Sequence, residues 1–412
     1  MKDVLWVLGI VLVTGFGLVT WRIPLVRGLD LGARIAIAFA GGCVVLAVLM
    51  FGFALVHVPF TRVTLLIALV VFAALAPLTR RFAPPSPRTA GRGVFAAILA
   101  LTAYGLLTAR ETCADLVYFW GPKGQRFYFA ETIDVAFLSF PHYSLMHPDY
   151  PPLLPLVYAF AASIAHGFSW WGALFTMLLL LLATTLAFRG LAREALGDER
   201  ASAYAVLLAA LLAYGYARSM VAGAGEPMLL LFETIAIAAL TFRDDGELLA
   251  AIALAGAAWT KVEGTAFVAI VVVAYIVTRR RVVRAVALAA PAIVLVGSWL
   301  LFAREHKFLD QYARAGETMH LENLGKVLGA TARQASYGAF YLPWLAGAVP
   351  FAFAKNWRRA MLPLLVFGGL VASAIYFYLH DNAPLWWIES SAERVLLSAL
   401  MTLLVAAAAA SE

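Results

Sequence analysis

The sequence predicts an all-α polytopic membrane protein, on three observations. The 412 residues are 63% hydrophobic and only 13% charged, whereas soluble domains carry about 25% charged residues. Apolar runs recur from end to end, near the roughly 20 residues that cross a bilayer core of about 30 Å. They are continuous rather than alternating, which excludes the strands of a membrane barrel. No polar stretch is long enough to build a core of its own, so no soluble domain is expected.

The apolar runs place about thirteen helices (eleven to thirteen, since neighbouring runs fuse or separate) near 3–21, 35–57, 63–79, 93–110, 168–188, 202–219, 226–242, 247–260, 262–278, 283–302, 336–353, 360–379 and 394–410. The run 247–278 reads either as one bent helix or as two, joined at Trp259-Thr-Lys-Val-Glu-Gly264. The best internal boundary is Arg80–Arg92, with Pro84, Pro85 and Pro87. It divides three plain helices (1–92) from a module at 93–302 with a long polar loop at 111–167, followed by a second polar loop and the last helices at 303–412.

Arginine and lysine in short loops set orientation. Arg22, Arg27 and Arg34, then Arg80, Arg81, Arg88 and Arg92, then Arg189, Arg193 and Arg200, then Arg279, Arg280, Arg281 and Arg284, then Lys355, Arg358 and Arg359 all fall on one side of an up-down trace, the cytoplasmic side. The net charge of +7 is mostly this signal. Spread over many loops, it is a poor footprint for nucleic acid. The trace holds only if 151–166 lies along the outer surface without crossing, and it leaves the N-terminus outside with no removed signal peptide. Cys43 falls mid-membrane and Cys113 at the outer end of the fourth helix, so two free thiols are expected.

The same trace gathers chemistry on the outer face. All seven histidines (His57, His142, His147, His166, His306, His320 and His380) fall there, with Asp115, Glu131, Asp134, Asp149, Glu226, Glu263, Glu389 and Glu393. Ionisable groups at membrane depth are functional candidates, because lipid solvates charge poorly. The competing account is that outer loops are polar and that aromatics and histidines favour interfaces. Asp115 is the first candidate. It follows a helix and precedes Val117-Tyr118-Phe119-Trp120. Desolvation beside apolar rings raises a carboxylate's pKa, which suits a general base working on a hydroxyl. The bland alternative is a loop carboxylate facing water.

In His147-Pro148-Asp149-Tyr150-Pro151-Pro152-Leu153, the prolines push their predecessors out of helix and Asp149 sits where a carboxylate caps the next one. His147 and Asp149, with Asp115, also offer ligands to a divalent cation, but no ligand spacing supports a metal or any other cofactor. Lys123 and Arg126 read either as a phosphate-binding pair or as cations snorkelling at the surface. Glu226 opens a helix with Pro227, and Glu233 shares its face two turns deeper, where a partner within the bundle is expected. Lys261 and Glu263 flank Val262, either paired with each other or with Lys261 on an anionic ligand. Arg394 is expected to open the last helix, where a cation opposes the helix dipole and needs an anionic partner. Tyr118, Phe119, Trp120, Tyr143 and Tyr150 offer faces for stacking. No Walker loop, dinucleotide glycine pattern, HExxH or nucleophile elbow is present.

Four segments in order resemble the GT-C superfamily of integral membrane glycosyltransferases, the group of protein O-mannosyltransferases and aminoarabinose transferases. They are Ala114-Asp115-Leu116-Val117-Tyr118-Phe119-Trp120 at a helix end, His147-Pro-Asp-Tyr-Pro-Pro-Leu-Leu-Pro155, Ala258-Trp-Thr-Lys-Val-Glu-Gly264 and Ser391-Ala-Glu-Arg394-Val-Leu-Leu. The resemblance covers about residues 93–410. It implies a GT-C-like fold with interfacial helices in the first large exoplasmic loop, at about 120–138 and 151–166. It also implies a sugar donor on polyprenyl phosphate, Asp115 as catalytic base, and inverting transfer to a hydroxyl of an acceptor lipid, glycan or protein at the outer face of an inner membrane. Lys123, Arg126, Lys261 and Arg394 are the expected phosphate ligands. Three helices precede the module, and Asp115 is followed by Leu116 where family members carry a second acid. The rival readings are a transporter or flippase of a lipid-linked sugar, and a non-catalytic subunit that binds one.

Overall fold

The computed structural model describes residues 1–75, 96, 99, 100, 103, 115–140, 146–218, 224–308, 318–336, 341–380 and 384–412. Among them every regular element is helical. The main helices are α1 (Lys2–Gly17), α2 (Leu31–Leu55), α3 (Arg62–Ala74), α4 (Gly121–Ala130), α5 (Leu153–Ala165), α6 (Trp170–Leu196), α7 (Asp198–Arg218), α8 (Glu226–Phe242), α9 (Glu247–Thr260), α10 (Val262–Arg279), α11 (Val282–Glu305), α12 (Leu324–Ser336), α13 (Trp357–Leu379) and α14 (Pro384–Ala410). All of the fourth predicted helix (93–110) but residues 96, 99, 100 and 103, with the Arg80–Arg92 boundary, His142, Tyr143 and Cys113, lies outside the described residues. Cys43 is a buried free thiol.

Local chemistry sets many of the helix ends. The side chains of Asp30, Thr61, Ser169 and Asn356 accept hydrogen bonds from the first-turn amides of Ala33, Thr64, Gly172 and Arg359, satisfying donors that a helix start leaves open. Pro227 occupies the first turn of α8, where its missing N–H costs nothing. The turn between α9 and α10 is a single extended residue, Lys261 (φ −151°), so the 247–278 run is two helices.

Seven of the described helical segments are long and apolar enough to cross a membrane: Lys2–Arg22 (α1 and the 3-10 turn after it), α2, α6, α10, α11, α13 and α14. The shorter apolar helices α3, α5 and α9 do not reach that length. Within the predicted span 336–353, the polar-faced α12 ends at Ser336, Tyr341–Ala348 is a short α-helix, and Val349–Phe353 is a 3-10 segment directly after it. The last helix starts ten residues earlier than expected. Pro384 begins it, and Glu389, Ser390, Ser391 and Glu393 continue it as ordinary helical residues instead of marking a loop.

The helices α6, α9 and α14 surround α8. All 17 residues of α8 are buried, Glu226 and Glu233 included. All 13 residues of α5 are buried too, under α1, α2 and α4. That departs from the surface-lying helix expected at 151–166, because α5 is apolar on every side and has no face suited to water. The interfacial element expected at 120–138 is divided into a π-helical turn (Leu116–Trp120), α4 and a short helix Val135–Leu138.

Polar contacts sort the two ends of the bundle. At one end Arg189 pairs with Asp30 (3.3 Å) and Asp198 (2.6 Å), Arg243 pairs with Glu194, Arg200 reaches the Ser411 carbonyl (3.2 Å) and Arg359 pairs with Glu412. Arg189 and Arg200 of one predicted arginine loop and Arg359 of another are thus brought to one end. At the other end Asp115 meets Arg394 (2.7 Å), Ser139 meets the His306 carbonyl (3.0 Å), and the His320 amide meets the Leu379 carbonyl (2.8 Å).

Helices in lipid gain little from hydrophobic association, so close backbone contact between small residues does much of the packing. A Cβ added to Gly42 would fall 2.1 Å from the Val13 carbonyl oxygen, and one added to Gly17 would fall 1.7 Å from that of Ala38. Backbone atoms cannot yield as a side-chain tip can. Gly42→Val is therefore expected to force α1 and α2 apart and destabilise the purified protein by about 2–3 kcal/mol or more, read from its thermal midpoint in detergent.

Candidate functional site

Four distant segments bring their charged residues together at the second end of the bundle. Asp115 starts the π-helical turn, a geometry that widens the helix and often marks functional positions. Arg394 stands in the third turn of α14 and donates from Nη1 to Asp115 Oδ2 at 2.7 Å. It does not open that helix, so its anionic partner answers burial rather than the helix dipole. The same Nη1 lies 3.7 Å from Glu226 Oε1 at the start of α8. Lys261, in the turn between α9 and α10, donates to Glu226 Oε1 at 2.9 Å and also pairs with Glu263 at 3.1 Å. Lys261 and Glu263 thus pair with each other, and Lys261 takes Glu226 as well.

Burial grades across this cluster. Lys261 and Glu226 are almost wholly enclosed, Asp115 and Arg394 are mostly so, and Glu263 keeps 45% of its side chain exposed. Three carboxylates face two cations, an excess of one negative charge. Burial raises the Asp115 pKa and the Glu226 carboxylate adds to the rise, while Arg394 and Lys261 pull against both. Burial disfavours the Lys261 ammonium, but Glu226 and Glu263 outweigh it and hold its pKa above the usual lysine value. The site therefore keeps both cations charged and leaves Asp115 as the group most ready to take a proton.

Aromatic side chains wall one flank. The buried Trp120 indole lies 6.0 Å from the Tyr150 ring, which stacks on His147 at 4.6 Å. His147 adopts a left-handed backbone (φ 47°), unusual for a residue with a side chain. That conformation accompanies a hydrogen bond at 2.5 Å from Lys123 Nζ to its carbonyl. Lys123 is buried, 5.3 Å from the Trp120 ring centroid, and it clasps α4 to the 147–152 segment. Asp149 is buried beside it, and the Asp149 carbonyl accepts from Trp299 Nε1 of α11 at 2.7 Å.

The remaining sequence candidates fall elsewhere. Arg126 forms a fork on Asp134 (2.9 and 2.5 Å), whose other oxygen caps Val135–Leu138. That is a folding contact near the surface. Tyr118 is 62% exposed. Glu233 lies deeper in α8, with Ser398 of α14 as its hydrogen-bond partner. Among the described residues no group of three or more His, Cys, Asp and Glu is arranged to hold a metal ion.

Three contributors escape sequence reasoning. Tyr378 of α13 bonds to Ser391 (3.0 Å) and acts electrostatically on both Arg394 and Glu263. Trp299 anchors the Asp149 backbone from a run that reads as plain span. At Gly225 a Cβ would fall 2.9 Å from Lys261 Cδ and 3.0 Å from Trp120 Cζ2. The only signal for Gly225 is the small-residue run Ala222-Gly-Ala-Gly225 just before Glu226. Neither a family model, nor a curated protein, nor a solved structure matches the chain.

The Asp115–Arg394 pair holds α14 against the π-helical turn. Arg394→Gln strands a buried carboxylate and is expected to cost about 3–5 kcal/mol. Adding Asp115→Asn to it is expected to recover about 1–3 kcal/mol of coupling in a double-mutant cycle, measured by thermal unfolding. Lys123 supplies a pH dependence. Burial lowers its pKa to about 7, against the pull of Asp149. The folded chain then sheds this proton before the unfolded chain does, so the contribution is absent below about pH 7 and grows as pH rises toward the ordinary lysine range near 10. Melting temperature is expected to gain from pH 7 to 9, and Lys123→Met to flatten that gain.

Proposed function

We propose that the protein is an inverting glycosyltransferase that moves a sugar from a polyprenyl-phosphate donor to an acceptor hydroxyl at the outer face of an inner membrane. The observation that carries this reading is the convergence of Asp115, Arg394, Glu226 and Lys261, from four separate segments, around an enclosed aromatic flank. Transfer of this kind needs one base and a cationic seat for the phosphate, and the cluster contains both types of group.

In this mechanism Arg394 fixes the Asp115 carboxylate through Oδ2. The acceptor hydroxyl gives its proton to Asp115 as its oxygen attacks the anomeric carbon. The bond from that carbon to the phosphate oxygen breaks, and polyprenyl phosphate leaves with the electron pair. A raised pKa keeps Asp115 basic enough to accept the proton. Lys261 serves the leaving phosphate, which takes the place of the exposed Glu263 beside it. Glu226 stays, keeping Lys261 and Arg394 charged and oriented. The acceptor class is a lipid, glycan or protein hydroxyl.

The test is sugar transfer by the purified protein in lipid nanodiscs, supplied with short polyprenyl phosphates carrying mannose, glucose or arabinose and with a membrane extract as acceptor. Asp115→Asn keeps the side-chain shape and is expected to lower turnover by about 10²–10⁴-fold while still binding donor. A folded Asp115→Asn protein with undiminished transfer would sink the assignment, and donor binding without turnover in the unaltered protein would mark a binding subunit instead.

A further inference from the structure

Two buried polar atoms, one on the aromatic flank and one in the cluster, have no partner in the structure. Trp120 is 2% exposed, and its Nε1 donates to no acceptor. Glu226 is 6% exposed; its Oε1 serves Lys261, and its Oε2 accepts from nothing. A buried polar group with no hydrogen bond is costly and rare in a folded protein, so each one calls for an explanation.

The two atoms belong to one small region. In an indole, Nε1 and Cζ2 share an edge, and Trp120 Cζ2 comes within 3.0 Å of where a Cβ would stand on Gly225, the residue before Glu226. The Lys261 stem flanks that point at 2.9 Å while its ammonium holds Glu226 Oε1. The missing side chain of Gly225 thus leaves the N–H edge of Trp120 next to the Glu226 backbone and to the lysine that orients the Glu226 carboxylate. One group is an unmatched donor and the other an unmatched acceptor.

We propose that Trp120 Nε1 and Glu226 Oε2 together bind one hydroxyl of a carbohydrate. A hydroxyl oxygen accepts from the indole N–H, and its hydrogen goes to the carboxylate. A phosphate oxygen only accepts and is repelled by Glu226; an ammonium only donates and leaves Trp120 unmatched. The pair therefore selects the sugar of a lipid-linked ligand over its phosphate, and the Tyr150 ring, 6.0 Å from Trp120, offers an apolar face beside it. The identity of the ligand rests on the glycosyltransferase reading.

Trp120→Phe tests this with the full chain in nanodiscs. It keeps an aromatic ring and removes the N–H. Thermal unfolding without ligand and binding of two probes are measured: short polyprenyl phosphate, bare and carrying mannose, glucose or arabinose. The unaltered protein is expected to prefer one sugar-bearing lipid. Trp120→Phe is expected to weaken that lipid about tenfold and leave bare polyprenyl phosphate unchanged, while the ring volume it gives up at a buried site lowers the ligand-free melting temperature by a few degrees. A variant that keeps its sugar preference overturns the pair while leaving the glycosyltransferase reading intact. An unaltered protein that binds no sugar-bearing lipid better than the bare phosphate overturns both.

Discussion

The enclosed ion cluster of Asp115, Arg394, Glu226, Lys261 and Glu263 is the constraint around which this end of the protein is arranged. Buried charge is tolerable only when paired and hydrogen-bonded. Lys261 is nearly enclosed, so Glu226 must begin α8 where it does. Arg394 must face Asp115, so α14 must run past the π-helical turn. Apart from the local Lys261–Glu263 pair, the pairings join separate segments, the widest being Asp115 with Arg394, 279 residues apart. The cluster thus acts as a register lock among α8, the α9–α10 turn, α14 and the 115–120 turn.

The supporting frame is built by different means. Around α8 and α5, apolar side chains and small residues exclude solvent on every side. At the opposite end, arginine loops are tied together by Asp30, Asp198, Glu194 and Glu412. Lys123 and Trp299 reach backbone carbonyls of His147 and Asp149, holding the aromatic flank through main-chain atoms instead of side-chain charge. That flank is consequently a scaffold more than a source of reactive groups, which bears on how the Cys113–Pro155 stretch divides. Asp115 and Trp120 face the cluster, whereas Arg126, Asp134 and Lys123 are engaged in folding contacts.

The candidate site was partly legible in the residues alone. Charged side chains within apolar surroundings are conspicuous, and Asp115, Glu226, Lys261, Glu263 and Arg394 stand out for that reason. Their partners are not legible, because which carboxylate meets which cation depends on how helices cross. Tyr378 and Trp299 carry no sequence signal of their own, being ordinary residues of apolar helices, and Gly225 is marked only by the small-residue run before Glu226. Arg126 stood out for its charge, yet its charge is spent on Asp134, a local contact that its eight-residue separation permits.

The helical, membrane-spanning character and most helix limits, α8 and α9 among them, follow from the sequence by itself, since apolar runs and capping residues are local properties. The distribution of arginine over alternate loops likewise foreshadows the sorting of the two ends. Tertiary structure alone decided the rest. It buried α5, which an apolar sequence permits but does not require. It carried α14 back through Glu389 and Glu393 to Pro384, because helix propensity tolerates polar residues that a hydropathy reading takes for a loop. It also joined Asp115 to Arg394, since the energy of that pair depends on distance and enclosure, and neither is a property of any single stretch of chain.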